Sequence, residues 1–239
     1  MTFARLFDHS VVRPDATREL VEEFAATAGR LQTATLTVQP HYIELGRSLL
    51  RGTDVLLGTV VGFPHGNETP SMKEYQANEA MDRGAQEIDM VMNIPALKNG
   101  EQGLFIRDIE GVVRAANGAI VKVILENVLL TDEEKRRACI WIADAGADFV
   151  KTSTAYADGG ATLDDVRLMY EAVQGRCRIK AAGGVREMTQ VLAFLEAGVR
   201  RFGSTRTEQF VRAYEVMPES DRAAFARFLP EQIEASSRA

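Results

Sequence analysis

The chain has 239 residues, of which 46% are hydrophobic, and a formal net charge of −6 at pH 7. It is long enough to bury a full core, and its acidic balance argues against nucleic acid as a partner, because phosphate contacts need a basic face. The two cysteines, Cys139 and Cys177, lack CxxC spacing, so neither a disulfide framework nor a zinc site is indicated. No apolar run approaches the roughly 20 residues that span a bilayer, and the first residues lack a signal pattern. We therefore expect a cytoplasmic protein with no membrane partner.

Strand-like and helix-like segments alternate along the chain. Eight short segments rich in β-branched residues are predicted strands: residues 5–12, 33–38, 54–60, 87–93, 119–126, 148–154, 178–184 and 201–205. Four intervening segments carry apolar residues at spacings of three and four, which predicts amphipathic helices: residues 15–28, 71–83, 103–116 and 164–174. Residues 219–239 predict one extra helix, partly broken at Pro230.

Glycines lie between the predicted helices and the strands that follow them. A glycine just past a helix adopts the left-handed conformation without a Cβ clash. We expect seven such turns, each leading into a strand: Gly29, Gly52, Gly84, Gly118, Gly146, Gly175 and Gly198. A strand and a helix repeated eight times, at about 28 residues per unit, predict an α/β fold with a single (β/α)8 TIM barrel over residues 1–239. A doubly wound open sheet fits less well, because it has fewer strands and usually a glycine fingerprint after the first.

Lysine is rare here, and half of it lies in predicted strands. Only six of the 28 basic residues are lysine, and Lys122, Lys151 and Lys180 lie in β-branched segments. In a barrel, every second strand residue points into the lumen. If the inward faces include Asp89, three ammonium groups and a carboxylate converge on one cavity at the end where TIM barrels build their sites. The remaining lysines lie in polar surroundings: Lys73, Lys98 and Lys135.

Two interpretations of this cluster compete. Each lysine could form a buried structural ion pair with Glu87, Asp89 or Glu126. That interpretation weakens for three lysines together, because one or two carboxylates do not neutralise three buried ammonium groups. A lysine beside another cation in a partly desolvated cavity has a lowered pKa, so a useful fraction is neutral amine at pH 7. Such an amine attacks a carbonyl carbon and forms an iminium, which predicts aldol chemistry without a metal.

Small residues follow the seventh and eighth predicted strands, at Gly183, Gly184, Gly203 and Ser204. Barrels often build a phosphate site after these two strands, where backbone N–H groups near a helix start bind an anion. The sequence therefore predicts a phosphate cradle.

The histidines do not indicate a metal. His9, His41 and His65 show neither HxH nor HExxH spacing, so we expect no metal and no cofactor. His65 follows the third predicted strand, where it could line the cavity or serve the turn. Ser10 and Asp8, on either side of His9, could touch substrate.

Seven motifs in chain order resemble the deoxyribose-phosphate aldolase family of class I aldolases: "LFDHS", "VVGFPHG", "EIDMVMN", "VKVILE", "FVKTST", "KAAGGVR" and "RFGST". The likeness covers nearly the whole chain. It implies a carbon–carbon lyase on a TIM barrel that reversibly cleaves 2-deoxy-D-ribose 5-phosphate to acetaldehyde and D-glyceraldehyde 3-phosphate. It also suggests a homodimer.

The resemblance implies a role for each motif residue. Lys151 would be the Schiff-base lysine, Lys180 the neighbour that lowers its pKa, and Asp89 the acid/base that works through a water. Lys122 and Asp8 would support the proton relay and the substrate hydroxyls. Contacts to the substrate and its phosphate are expected from seven residues: Ser10, Thr152, Gly183, Gly184, Gly203, Ser204 and Arg206.

Three positions depart from the family. Ala155 and Tyr156 follow "KTST", where relatives usually have a glycine, and Arg206 stands where a second small hydroxyl residue is expected. These departures leave open a Schiff-base aldolase that acts on a different or unphosphorylated aldehyde. A noncatalytic sugar-phosphate sensor is a further alternative, and the intact set of Asp89, Lys151 and Lys180 argues against it.

Overall fold

Eight parallel strands close into a barrel in chain order, with β8 paired to β1. The computed structural model describes residues 3–229. The strands are β1 (Phe7–Val11), β2 (Thr35–Val38), β3 (Leu56–Val61), β4 (Glu87–Val91), β5 (Ile120–Ile124), β6 (Phe149–Lys151), β7 (Arg178–Ala182) and β8 (Val199–Ser204). The predicted TIM barrel is confirmed.

Helices cover the outside of the barrel. They are α1 (Arg18–Leu31), α2 (Ile43–Leu49), α3 (Pro70–Asp82), α4 (Ile94–Lys98), α5 (Gln102–Ala116), α6 (Asp132–Asp144), α7 (Leu163–Val173), α8 (Met188–Glu196), α9 (Thr207–Glu215) and α10 (Glu219–Ala226). The short α4 lies between β4 and α5, and α10 is the extra carboxyl-terminal helix that the sequence predicted. Pro230, where we expected that helix to break, lies outside the described residues. Within residues 3–229, none of the helices combines the length and the apolar character that crossing a membrane demands.

Side-chain caps begin several of these helices. The hydroxyl of Thr131 accepts from the N–H of Glu134, and the Glu134 carboxylate accepts from the N–H of Thr131, which together form a capping box. Thr17, Thr69 and Thr162 cap α1, α3 and α7 in the same way through their hydroxyls. These caps fix where each helix starts after its loop.

The turn glycines behave as predicted at six of the seven positions, where φ lies between +77° and +111°. Gly29 is the exception, because it lies inside α1 and has no positive φ. The left-handed residue that ends α1 is Gln32, with φ of 55°. A Cβ on Gly29 would lie 3.4 Å from Thr53 Cγ2, which is an ordinary contact distance, so neither a turn nor close packing requires glycine at this position.

Lys73 corrects another expectation. We placed it in polar surroundings, but its side chain is fully buried between α3 and α5. Its Nζ donates to Asp108 Oδ2 at 2.6 Å and to the carbonyl oxygen of Val91 at 2.9 Å. Local sequence did not reveal this burial, because the partner carboxylate comes from a different helix.

Strand register brings the charged residues of the lumen together. Asp89 on β4 pairs with Lys122 on β5, and Lys151 on β6 pairs with Lys180 on β7. An irregularity follows in the pairing of β7 with β8, where Ile179 pairs with Val199 but Lys180 pairs with Arg201. The extra residue on β8 therefore places Arg201, and not Arg200, opposite Lys180.

Candidate active site

Three lysines converge on one carboxylate inside the barrel. The Nζ atoms of Lys151 and Lys180 each lie 2.6 Å from Oδ2 of Asp89. The Nζ of Lys122 lies 3.0 Å from Oδ1 of the same residue. All four side chains are buried. The convergence expected from strand alternation is thus present in the structure.

Two further carboxylates and an arginine extend this cluster. Asp8 Oδ2 accepts from Lys180 Nζ at 2.5 Å, and Asp8 Oδ1 accepts from Arg201 Nη1 at 2.7 Å. Glu87 Oε2 lies 2.5 Å from Lys122 Nζ. We call the set of Asp8, Glu87, Asp89, Lys122, Lys151, Lys180 and Arg201 the buried charge network. It holds four basic side chains against three acidic ones, so one positive charge has no counterpart when every group is ionised.

Arg201 is the member of the network that sequence reasoning missed. We had placed Arg201 at the start of a predicted strand without a role, because simple alternation does not account for the extra residue on β8. Glu87 shares a strand face with Asp89, and this signal was visible in the sequence. Glu126, the other candidate partner of the lysines, instead contacts Thr154, whose backbone N–H lies 3.3 Å from both carboxylate oxygens.

The network shifts the pKa values of Lys151 and Lys122 in opposite directions. The pKa of Lys151 is lowered to about 8, mainly by burial and to a smaller extent by the nearby charge of Lys180, while Asp89 opposes the shift. Burial also disfavours the charge on Lys122, but Asp8, Asp89 and Glu87 outweigh it and raise the pKa of Lys122. Of these two lysines, Lys151 is therefore the one that loses its proton more readily. Desolvation, rather than the neighbouring cation, is the larger cause.

Lys151 is also the lysine that a substrate can reach. A cleft of about 580 Å³ opens at the carboxyl ends of the strands, and Lys151 lines it. Lys122 and Lys180 are fully buried and do not line it, whereas Lys151 is 7% exposed. We call this space the first cleft. It presents one amine of lowered pKa to a ligand.

The predicted phosphate cradle lines the same cleft. Its members there are Gly183, Gly184, Gly203, Ser204 and Arg206. Both glycines of the pair have left-handed backbones, with φ of 74° and 77°. They precede the first residue of α8, Met188, by several residues, so this half of the cradle is a loop, whereas Gly203 and Ser204 come shortly before the first residue of α9, Thr207.

Two residues beyond the prediction complete this end of the cleft. Arg186 lines it after the glycine pair, and Thr205 lines it next to Ser204. Thr205 adds a small hydroxyl residue at this end of the cleft, beside Ser204 and Arg206. Arg186 follows the glycine pair in the motif "GGVR", which was a usable signal for an anion-binding arginine.

Ser10 and Thr152 differ in where the structure places them. Ser10 lines the first cleft, and its hydroxyl donates to the carbonyl oxygen of Asp8 at 3.2 Å. Thr152 is fully buried and does not line the cleft. Its hydroxyl bonds both the N–H and the C=O of Ala182 at 3.1 Å, so it ties β6 to β7 rather than reaching a substrate. Strand alternation predicts this, since Thr152 follows Lys151. Thr154 lines the cleft instead.

The two substitutions after "KTST" have distinct structural consequences. Ala155 has φ of 69°, a left-handed conformation that a glycine adopts without cost. Tyr156 reaches across the cleft, and its hydroxyl donates to the carbonyl oxygen of Val12 at 3.0 Å. Within residues 3–229, no group of three or more His, Cys, Asp or Glu side chains is arranged to hold a metal ion.

Comparisons with known proteins agree with this geometry. Residues 2–204 match the model of the DeoC/LacD family aldolases. The chain is 46% identical over 215 residues to a deoxyribose-phosphate aldolase of Staphylococcus epidermidis, covering 90% of this chain and 98% of that one. It is 45% identical over 204 residues to the Lysinibacillus sphaericus enzyme of the same name, covering 85% and 92%.

Solved structures give the same result. A putative deoxyribose-phosphate aldolase from Coccidioides immitis superposes with a TM-score of 0.87 at 35% identity, covering 89% of this chain and 85% of that one. The deoxyribose phosphate aldolase of Aeropyrum pernix, described as a tetramer, superposes with a TM-score of 0.81 at 28% identity, covering 89% and 91%. The chain belongs to the DeoC/LacD family of aldolases.

Proposed function

We propose that this protein is a class I aldolase that reversibly cleaves 2-deoxy-D-ribose 5-phosphate to acetaldehyde and D-glyceraldehyde 3-phosphate. One observation carries the proposal. Lys151 opens onto the first cleft, has a pKa lowered to about 8, and lies over the carboxylate that also binds Lys180 and Lys122. The names of the Staphylococcus and Lysinibacillus relatives support the choice of substrate.

The first chemical step is attack by neutral Lys151 on the aldehyde carbon C1 of the open-chain sugar. The carbinolamine loses water, with protons moved at its oxygen and nitrogen, and leaves an iminium on Nζ. Asp89 contacts Nζ of Lys151 directly, and it is the proposed acid/base, working through a water at the substrate. Neutral amine is about one-tenth of Lys151 at pH 7 when the pKa is about 8.

Bond cleavage follows from the iminium. A base removes the proton of the C3 hydroxyl, the C2–C3 bond breaks, and its electron pair moves into the iminium to give an enamine. D-glyceraldehyde 3-phosphate leaves, the enamine takes a proton at C2, and water hydrolyses the new iminium to release acetaldehyde. No oxidant, reductant or cofactor enters this sequence, so the chain's own residues suffice for it.

The rest of the buried charge network keeps this acid/base group in place. Lys122 holds Asp89 from the other carboxylate oxygen, and Asp8 holds Lys180 at 2.5 Å. We propose that Lys122 and Asp8 support proton transfer by fixing these charges. We also propose that Glu87 partly neutralises Lys122 and that Arg201 partly neutralises Asp8, because each pair is in direct contact. A network of fixed charges of this kind stabilises ionic intermediates without reorganisation.

Phosphate binding is assigned to the cradle of the first cleft. The residues that line it there are Gly183, Gly184, Gly203, Ser204 and Arg206. We add Arg186 to this set and propose that Ser10 contacts the sugar hydroxyls. Thr152 acts in this scheme by holding β6 against β7.

A second candidate keeps the Schiff base but changes the acceptor to an unphosphorylated aldehyde. The observation that favours it is Tyr156, which occupies part of the cleft mouth, where its hydroxyl donates to the carbonyl oxygen of Val12. Arg186 and Arg206 favour the phosphorylated substrate. Turnover of paired phosphorylated and unphosphorylated aldehydes separates the two.

We also propose a cytoplasmic protein with small-molecule substrates, no nucleic-acid partner and a homodimeric assembly. The two cysteines, Cys139 and Cys177, are both unpaired and buried, which suits a reducing compartment. The acidic net charge supports the absence of a nucleic-acid partner.

Borohydride reduction tests the proposed chemistry. With 2-deoxy-D-ribose 5-phosphate or acetaldehyde present, reduction should leave a covalent adduct on the peptide that contains Lys151, and acetaldehyde should leave an N-ethyl group. Lys151→Met should give no adduct at this site and no turnover. Turnover without an adduct on Lys151 would overturn the proposal.

A further inference from the structure

A second cleft of about 670 Å³ lies beside the first one. It is bounded by the loops that follow β1, β2 and β3 and by α2 and α3, and Ile43, Phe63 and His65 are among its walls. Lys151 does not line it. The aldol reaction proposed above does not use this space.

Tyr156 stands between the two clefts. It lines both of them, together with Val12, Pro14 and Val60. Its hydroxyl donates to the carbonyl oxygen of Val12, in the loop after β1, at 3.0 Å. Its ring meets that of Phe63, in the loop after β3, edge-on at 5.4 Å and 90°. Tyr156 follows β6, which is separated from β1 by two strands and from β3 by two strands, so its side chain crosses the barrel mouth.

The two clefts differ in charge. The first contains Arg186 and Arg206 at its glycine-rich end, which suits an anion. The second contains Glu68, Glu79 and Arg83, and Arg83 lies 3.5 Å from Glu79. One carboxylate is left in excess there, so a phosphate is disfavoured.

The wall of the second cleft next to Tyr156 is apolar. Val12, Val60 and Phe63 form it, and Pro40 and Ile43 continue it. A hydrocarbon chain that entered here from the first cleft would leave water for an apolar surface, which is favourable for each methylene buried. Such a chain has to pass the position of the Tyr156 ring.

We infer that Tyr156 is a specificity-determining residue that confines acceptor aldehydes to the first cleft, and that the second cleft is a subsite for the apolar tail of a neutral aldehyde once the ring is removed. The inference rests on the proposed function. The reaction remains a simple aldol addition: the enamine carbon of the donor bonds to the acceptor carbonyl carbon, and the carbonyl oxygen takes a proton.

Chain-length preference tests this inference. Acetaldehyde serves as donor, and propanal, hexanal and 3-phenylpropanal serve as neutral acceptors. In Tyr156→Ala, the ratio of kcat/KM for hexanal to that for propanal should rise about tenfold or more over the unmodified protein. Tyr156→Phe keeps the ring and should leave the ratio near its original value. Tyr75→Ala, at an exposed tyrosine of α3 that lines neither cleft, is the matched control.

A second substitution checks where the tail lies. His65 is exposed and lines only the second cleft, so His65→Trp in the Tyr156→Ala background should fill the space and cancel the gain for hexanal. Circular dichroism of each variant shows that the barrel is intact.

Three results would overturn the inference. They are an unchanged ratio in Tyr156→Ala, an equal gain in Tyr156→Phe, and a gain that survives His65→Trp. Borohydride trapping of acetaldehyde on Lys151, run in parallel, distinguishes a failure of the proposed function from a failure of the Tyr156 inference. Loss of the adduct in the unmodified protein defeats the proposed function, whereas an adduct with an unchanged ratio defeats the Tyr156 inference alone.

Discussion

The Nζ atoms of Lys151 and Lys180 share a single oxygen, Oδ2 of Asp89, at 2.6 Å each. Neither side chain has more than slight contact with solvent. Two ammonium groups placed so close together repel each other strongly where water cannot screen them. Burial lowers the pKa of Lys151 to about 8, and this amine is the one that lines the cleft.

Removing the second amine should therefore raise the pKa of the first. In Lys180→Met, the pKa of Lys151 should rise by about one to two units, because a neighbouring positive charge is lost and Asp89 becomes less neutralised. The acidic limb of the pH profile of kcat/KM should move to higher pH, with a lower rate at pH 7. Lys98→Met removes a lysine paired with Glu134 at the surface and should leave the limb in place. An unmoved limb in Lys180→Met would contradict the role given to this pair.

Lys151 and Lys122 should have opposite effects on stability. Lys151 has a folded pKa of about 8 against 10.5 for an ordinary lysine, so its protonation at pH 7 destabilises the fold by about 3 kcal/mol. Lys151→Met should raise the free energy of unfolding by about 2 to 3 kcal/mol at pH 7. The stability of the unmodified protein should rise between about pH 8 and pH 10.5, where the unfolded chain still binds the proton, so the difference between the two proteins should shrink there.

Lys122→Met is the matched comparison. The pKa of Lys122 is raised by Asp8, Asp89 and Glu87, so its charge stabilises the fold, and its loss should cost about 3 to 5 kcal/mol. Urea unfolding of both variants measures the contrast. Equal destabilisation by the two substitutions would show that the network does not distinguish its lysines.

Asp89 is predicted to act in proton transfer after the Schiff base forms. Asp89→Asn keeps the shape of the side chain, and kcat should fall by about 10²- to 10⁴-fold. Exchange of the acetaldehyde methyl protons with deuterated water, followed by NMR, should slow by a similar factor. Borohydride should still trap an adduct on Lys151. Rapid exchange in Asp89→Asn would assign the proton transfer to another group.

The backbone at Ala155 predicts a stabilising substitution. Its φ of 69° costs an L-residue about 1 to 2 kcal/mol, part of which a glycine loses again through greater freedom of the unfolded chain. Ala155→Gly should therefore stabilise the protein by about 0.5 to 1 kcal/mol in urea unfolding. Ala157, in the same loop, has no positive φ, so Ala157→Gly should be neutral or destabilising. Destabilisation by both changes would contradict the argument.

Arg206 should distinguish phosphorylated from neutral substrates. In Arg206→Gln, kcat/KM for 2-deoxy-D-ribose 5-phosphate should fall about 10- to 100-fold, because a charge-assisted contact to phosphate is lost. The value for unphosphorylated 2-deoxy-D-ribose should change little. Arg212→Gln removes an arginine paired with Glu208 outside the first cleft and is the control. A similar loss on both sugars would remove Arg206 from the phosphate site.

Sequence reasoning recovered the parts of the molecule that depend on period and spacing. Alternation along each strand placed Asp89, Lys122, Lys151 and Lys180 inside one barrel, and the structure brings them together. The same alternation, applied one residue further, would have turned Thr152 away from the cleft.

Other features depend on contacts between distant segments. Arg201 enters the lumen because the pairing of β7 with β8 is irregular, and the sequence of β8 gives no sign of this irregularity. Lys73 lies in a polar stretch of sequence, but its side chain is buried against Asp108, which belongs to a different helix. Tyr156 crosses the barrel mouth to Val12, 144 residues away along the chain.

The charge state of Lys151 is the claim on which the whole account depends, and the pH dependence of its modification tests it most directly. The protein is treated with acetaldehyde and cyanoborohydride from about pH 6 to about pH 11.5, and the rate of N-ethylation of Lys151 is followed by mass spectrometry. Lys98, exposed on the same chain, serves as the internal reference. We predict a midpoint near pH 8 for Lys151. A midpoint near 10.5, the value of an ordinary lysine, would contradict the proposed nucleophile.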